Sequence, residues 1–361
     1  MSFTPTIMVA RRLNLDPKRI LIVLHGSIGD VTRALPLANL LRRGFPRAFL
    51  AWSVEPAAYP LLQANPAIDD IIVFERRQWW KSFWPFLARI RGGRFDLVLD
   101  LQRHLKSGIV SRVTGARYRL GFHPADSKEG NGFFNNLHIP RCGDGIAKID
   151  HYLKFAEYLQ IPCAPIEWGF ELTVQERAAV DDHLAQVTGS HATLFVGTRW
   201  QSKGWFPRQI AACAKLLQTE YGFHVVLLGG PEDRGVAEEA MGGVEGRAVD
   251  LVGRTSLREA IGVIQRAKVA VGPDTGLMHI AAAVGTPVVS LWGATEPNRN
   301  GPLSFAELAI RGHAPCAPCY KRNCSIGRIC MQSIGAEAIA AKLAVALRRQ
   351  SEERVIHGES G

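Results

Sequence analysis

Short apolar runs alternate along this chain with longer stretches whose apolar residues recur at helical spacing. Residues 19–25 (RILIVLH) read as a buried strand. A turn bearing two glycines follows, Gly26-Ser27-Ile28-Gly29-Asp30, and residues 31–43 then take a helical pattern that Phe45-Pro46 stops. The alternation continues with strands over 48–54, 71–74 and 95–101, a helix over 57–63, and a segment over 76–91 that mixes tryptophan with arginine. Residues 124–145 carry turn signals, residues 150–159 look helical, and residues 161–172, with two prolines, read as a linker.

A second series of the same kind begins beyond the linker. It predicts strands over 193–196, 224–228, 269–271 and 287–292, helices over 207–220, 258–267 and 276–284, and a last amphipathic helix over 336–349. Strands alternating with helices imply a parallel sheet covered on both faces. Two such series give an α/β protein of two Rossmann-like domains facing across a cleft. Their expected bounds are residues 1–170 and 171–361, with the last helix free to pack back on the first domain.

Composition supports this and adds a bias. The 361 residues are 47% apolar and 21% charged, enough for two cores. Lysine plus arginine number 43 against 33 acidic residues, a net charge of +10 that favours a polyanionic partner such as phosphorylated lipid, an acidic membrane face or nucleic acid. No apolar run reaches the length of a membrane span and no signal peptide is evident, so a cytoplasmic location is expected. Seven cysteines suit that compartment as free thiols or metal ligands.

The densest chemical signal lies in residues 272–302. A strand ends in Gly272-Pro273-Asp274-Thr275, and Gly276 opens a helix. Backbone N–H groups of Thr275, Gly276 and Leu277 at such a helix start suit a phosphate. Asp274 as a plain N-cap with no ligand explains the same residues equally well. His279 could be a structural histidine. Other strand ends add polar loops: residues 197–205, with Thr198 and Lys203; Gly229-Gly230-Pro231-Glu232, whose carboxylate suits ribose hydroxyls; and residues 293–302. Asp30, just before the helical pattern from residue 31, reads as a helix cap.

These segments together resemble glycosyltransferase family nine, the bacterial heptosyltransferases of the lipopolysaccharide inner core. The run DTGLMHIAAAVGTPVVSLWGATEPNRNGP resembles the family's signature. TRWQSKGWFP, LGGPED, GSIGDVTRALPLANLLRRGFP and FDLVLDLQ…LKS…LGF…SKEG are similar to its other motifs, so the resemblance spans about residues 20–331. It implies a GT-B fold, an inverting transfer from ADP-heptose and no required cofactor. It places the donor on Thr198, Lys203, Glu232, Thr255, Asp274, Thr275, Gly276, Leu277 and His279. Lys203 and the helix start would take the diphosphate, and Asp274 the sugar. It makes Asp30 the catalytic base, taking a proton from the acceptor hydroxyl.

The acceptor that the resemblance implies is Kdo-lipid A, alone or already carrying one heptose. Its anions would meet Arg76, Arg77, Lys81, Lys106 and Lys128. Lys128 stands where the family pattern has arginine, which keeps the charge and loses the fork. Arg103-His104 replaces a small or apolar pair. The tryptophan- and arginine-rich segment either rests on the anionic inner membrane, making the enzyme peripheral there, or packs on its own domain. Cys316, Cys319, Cys324 and Cys330 either bind a metal or form a loop of reduced thiols beside the donor site.

Rival classes are weaker. An NAD-dependent oxidoreductase needs a G-x-G-x-x-G fingerprint that residues 25–29 lack. No nucleic-acid recognition module is present, so nucleic acid is not expected as a partner. A non-catalytic scaffold would not need Asp30. Addition of the second heptose, or of another sugar to a surface glycan, is the nearer alternative.

Overall fold

The computed structural model describes residues 15–357, apart from 77, 78, 144 and 245. Its first half runs β1 (Arg19–Val23), α1 (Ile28–Gly44), β2 (Phe49–Val54), α2 (Tyr59–Leu62), β3 (Asp70–Val73), α3 (Trp79–Gly92), β4 (Leu97–Asp100), α4 (Leu105–Val113), β5 (Tyr118–Gly121), β6 (Leu137–His138) and α5 (Lys148–Tyr158). Its second half runs α6 (Val174–His183), β7 (His191–Phe195), α7 (Pro207–Tyr221), β8 (His224–Leu228), α8 (Arg234–Met241), β9 (Ala248–Asp250), α9 (Leu257–Arg266), β10 (Val269–Pro273), α10 (Gly276–Ala283), β11 (Val288–Trp292), α11 (Pro297–Asn300), β12 (Ala309–Arg311), α12 (Ile329–Gln332) and α13 (Ala336–His357).

The strands form two parallel six-stranded sheets, ordered β3-β2-β1-β4-β5-β6 and β9-β8-β7-β10-β11-β12. Counted within each half, both orders are the same doubly wound order, so each sheet has one point where the chain reverses direction. The strands β7, β8, β10 and β11 are buried along their whole length, as expected where helices cover both faces. In the first sheet Ile20 pairs with Leu50 on one side and Leu97 on the other. α1 closes one face with Leu35, Leu37 and Leu41, each fully buried. Burial of one such side chain contributes about 1.5–3 kcal/mol.

The halves meet directly. α1 packs on α10, and α2 on α9. A methyl group on Gly29 would lie 2.6 Å from His279 Cδ2, and one on Gly276 would lie 2.6 Å from Ile28 Cγ2, so two glycines set how closely the helix starts approach. Arg258, buried on α9, donates to the carbonyl of Gln63 (2.8 Å) and to Glu176 Oε1 (2.5 Å), tying α2 to the second half.

α13 packs on α7, β10, β11 and β12. Its buried Ile339, Leu343 and Ala346 cover the open face at the β12 edge of the second sheet.

Candidate functional site

In a doubly wound sheet, ligands sit beyond the carboxyl ends of the strands where the strand order reverses. Here those points lie between β1 and β4 in one sheet and between β7 and β10 in the other. The loops that leave them, with the first turns of the helices they lead into, carry Asp30, Lys106, Lys203 and Asp274. Topology alone therefore brings the strongest candidates of the sequence to one cleft.

Asp30 is both a cap and a cleft carboxylate. Ser27 caps α1 and donates through its hydroxyl to Asp30 Oδ2 at 2.8 Å, and the Ser27 backbone N–H donates to the same oxygen at 3.2 Å. The other oxygen, Oδ1, accepts from Arg33 Nη2 (2.7 Å) and Lys148 Nζ (3.2 Å). Burial alone would push the carboxyl up. The two cations, with the hydrogen bonds of Ser27 and Arg33, overcome it and hold Asp30 far below the usual carboxylate range. It is ionised at any working pH.

Asp274 does not cap α10. Thr275 is the N-cap and makes no side-chain cap bond, so the helix start keeps N–H groups without intrahelical partners. The Asp274 carboxylate turns instead to Lys203 Nζ (2.6 Å) and the Thr295 hydroxyl (2.7 Å), with His279 Nε2 at 3.8 Å. Thr198 donates to the Asp274 carbonyl at 3.3 Å. Burial would raise the Asp274 carboxyl, but its bond with His279 and the charge of Lys203 hold it well below the ordinary range. Burial first, then Arg33, lowers His279 to about 4, so its ring is neutral. Lys203 also lies over the Trp200 ring, 4.3 Å from its centre.

Thr198, Lys203, Asp274 and His279 thus form one contacting group, with Thr275, Gly276 and Leu277 beside it. Glu232 follows β8 and is exposed, and Thr255 follows β9. They stand one and two strands out from β7, along the edge where the nucleoside end of an extended ligand would run.

On the first sheet, Arg76 and Lys106 share Glu55, at 3.8 and 3.6 Å from its Oε1. Lys128 is exposed, and its backbone N–H donates to the Arg103 carbonyl at 2.8 Å. Lys81 is exposed on α3. Arg77 lies outside the described residues. Asp100, buried at the end of β4, accepts from Asn131 (2.6 Å) and Asn135 (3.2 Å) and so anchors the loop of Lys106 to that of Lys128. Arg103 is turned inward, its guanidinium on the Phe122 ring (4.1 Å) and on His151 (2.5 Å). α3 packs on its own domain through Phe86 and Ile90 and leaves Trp80 and Trp84 exposed.

The cysteine segment packs against the Lys203 loop. Ser202 donates to the Lys321 carbonyl at 2.5 Å, and Cys324 N–H donates to Gln201 at 2.9 Å. All seven cysteines are free thiols. Among the described residues no group of three or more His, Cys, Asp or Glu is placed to hold a metal ion. No helix of the described residues is long and apolar enough to cross a membrane.

Sequence reasoning missed four contributors: Arg33, Lys148, Thr295 and Asn300. Only Lys148 left a signal. It is the first residue of α5, where the helix dipole disfavours a cation, so it needs a partner from elsewhere.

Two doubly wound domains with an anion-ready helix start on one wall and a paired carboxylate on the other define a glycosyltransferase of the GT-B class. Residues 83–330 match the profile of glycosyltransferase family 9 (heptosyltransferase), and the chain belongs to that family. Lipopolysaccharide heptosyltransferase 1 of Pseudomonas aeruginosa is 28% identical over 319 residues, 85% of this chain and 87% of that protein. The crystal structure of a family 9 glycosyltransferase from Veillonella parvula superposes with a TM-score of 0.80 at 20% identity, covering 93% of this chain and 99% of that one. E. coli heptosyltransferase WaaC with ADP-2-deoxy-2-fluoro heptose superposes with a TM-score of 0.67 at 22% identity, covering 91% and 99%. The oxidoreductase and nucleic-acid readings give way to this family.

Proposed function

We propose that the protein transfers L-glycero-D-manno-heptose from ADP-heptose to the Kdo-lipid A inner core, with inversion at the anomeric carbon. Residues 1–170 bind the acceptor and residues 171–361 the nucleotide sugar. The observation that carries the reading is the buried line of contacts from Asp30 through Arg33 and His279 to Asp274 and Lys203, which joins the two walls of the cleft. The acceptor hydroxyl attacks the anomeric carbon as its bond to the diphosphate breaks, and Asp30 takes the hydroxyl proton. Lys203 and the free N–H groups of α10 take up the charge on the departing ADP, so no metal is required for that task. Asp274, once its lysine turns to the diphosphate, is left to meet the sugar. Glu232 and Thr255 hold the nucleoside end.

Arg76, Arg77, Lys81, Lys106 and Lys128 meet the acceptor's phosphates and carboxylates. Trp80 and Trp84, beside Lys81, rest on the anionic cytoplasmic face of the inner membrane, where such an acceptor is anchored. The relative named above supports the first heptosyl addition over the second.

The deciding assay combines purified protein, ADP-heptose and either Kdo-lipid A or heptosyl-Kdo-lipid A. Turnover with Kdo-lipid A, lost in Asp30→Ala, is the expected result. Equal turnover by the two proteins removes Asp30 as base. Turnover only with the heptosylated acceptor moves the protein to the second addition.

A further inference from the structure

Arg33 lies one turn after Asp30 on α1 and is buried, and no motif singled it out. Its guanidinium spans the cleft. Nη2 donates to Asp30 Oδ1 at 2.7 Å. Nη1 donates to His279 Nε2 at 2.6 Å and to the Asn300 carbonyl at 3.1 Å, both in the second half of the chain. The two tasks use two different nitrogens of one rigid fork, which a lysine cannot copy. The third donor, Nε, is buried without a partner. A side chain placed only for stability would have that group satisfied, since leaving it unpaired is costly.

We infer that Arg33 is a positioning residue that locks the Asp30 carboxylate to the donor half of the cleft, so that the base is oriented only when the two domains are closed. The inference rests on the reading of Asp30 as base. An arginine can only donate, so the His279 ring, with Nε2 at 2.6 Å and Nδ1 at 3.4 Å from Nη1, meets it as an acceptor. His279 in turn stands 3.8 Å from Asp274, whose other oxygen holds Lys203. A diphosphate that draws Lys203 away alters the field at His279, and that change reaches Asp30 through Arg33. The groups around Asp30 are Ser27 and Arg33 from its own helix, Lys148 and Tyr152 from α5, and His279 from α10; Arg299 of α11 adds its charge at Lys148. Among the described residues that bond Asp30, only Arg33 also bonds the second domain.

The test is steady-state kinetics with ADP-heptose and Kdo-lipid A on Arg33→Met, Arg33→Lys, His279→Ala, Arg33→Met/His279→Ala and Asp30→Ala, each checked for a cooperative unfolding transition. A misplaced base lowers kcat by roughly 100-fold. Arg33→Met is expected to show that loss with KM for ADP-heptose little changed, and its acid limb in the kcat profile moves to higher pH. Arg33→Lys keeps the charge and loses the fork, so it is expected to lose kcat while the acid limb stays low. This variant also serves if Arg33→Met does not fold. The double variant is expected to be no worse than the poorer single one, because both break one link. Wild-type kcat in Arg33→Lys, or losses that multiply in the double variant, would overturn the inference. An active Asp30→Ala would instead remove the base reading beneath it. An inactive Asp30→Ala beside a fully active Arg33→Met would sink the coupling and leave the base intact.

Discussion

Lys148 Nζ lies 3.2 Å from Asp30 Oδ1, although the two residues sit on different helices and 118 positions apart. Burial lowers the Lys148 ammonium despite this partner, so its charge is kept at a cost. That cost is repaid at Asp30, whose carboxyl Lys148 and Arg33 hold down. Lys148→Met should therefore raise the proton affinity of Asp30. The expected outcome is an acid limb in the kcat profile that rises toward the ordinary carboxylate range. A limb that stays in place would show that Lys148 does not govern the base.

Lys203 and Asp274 form the matching pair on the other wall. They lie 2.6 Å apart, and a bound diphosphate would compete for the same ammonium. Lys203→Ala should weaken ADP binding by roughly 10–100-fold, the range of one charge-assisted hydrogen bond of about 1.5–3 kcal/mol. Thr295 still donates to Asp274 in that variant, so folding should survive with some loss of stability. Titration calorimetry with ADP decides the matter. Unchanged affinity would place the diphosphate away from Lys203.

Trp84 is 73% exposed and Trp80 is 61% exposed, one turn apart on a helix whose Phe86 and Ile90 are buried. A helix that buries one apolar stripe and shows two tryptophans beside Lys81 suits an anionic lipid surface. Trp80→Glu/Trp84→Glu should lower cosedimentation with vesicles containing anionic phospholipid by at least about tenfold, equal to about 1.4 kcal/mol. ADP binding should not change, because α3 is part of the other domain. Equal sedimentation of both proteins would return these tryptophans to the ordinary surface.

The fold was legible where burial is complete. Strands such as β1, β8 and β11 are apolar at all but one position each, and the alternation with helices implies their parallel pairing. Elements whose contacts are polar or small were not legible. α6 buries only Val180, so it has no apolar stripe, and its one signal is the capping box of Thr173 and Glu176. α4 buries Ser107, Gly108 and Ser111 with Val110 as its one buried large apolar side chain, too little for an apolar stripe. The site divides in the same way. Asp30 and Asp274 stand just after apolar strands, so their place at the cleft follows from local pattern. Arg33 pairs locally with Asp30, but its bonds to His279 and Asn300, and that of Thr295 to Asp274, join residues far apart in sequence, and no local pattern encodes those.

Two buried histidines should make the fold acid-sensitive. His25 is lowered to about 3, first by burial and then by Lys106, and His279 to about 4, from an ordinary value of 6.5. A native state that refuses these protons loses stability as pH falls below 6.5, because the unfolded chain takes them up. The loss continues down to the folded values, at up to about 1.4 kcal/mol per pH unit for each histidine. Urea midpoints between pH 6.5 and 5 should fall accordingly, above the range where most carboxylates titrate. His25→Phe, stacked as now on Phe74, should flatten the slope by about one proton. A flat profile for the unchanged protein would mean that these rings are protonated in the fold.

The start of α10 tests how closely the domains must meet. An alanine at Gly276 would place its Cβ 2.6 Å from Ile28 Cγ2 and 2.9 Å from Ile28 Cβ. Helix propensity favours the alanine by about 1 kcal/mol at most. Overpacking of this kind costs about 1–3 kcal/mol, and α1 is held by its buried leucines, so the clash wins. Gly276→Ala should push the two helix starts apart and lower kcat, because Asp30 and the donor helix no longer close on one another. Ile28→Ala removes the nearer atom and leaves Cβ, so Gly276→Ala/Ile28→Ala should recover part of the rate. Recovery is the informative measurement. A double variant as slow as Gly276→Ala alone would mean that the methyl group blocks the diphosphate itself rather than the domain contact, and ADP affinity in the two variants separates those cases.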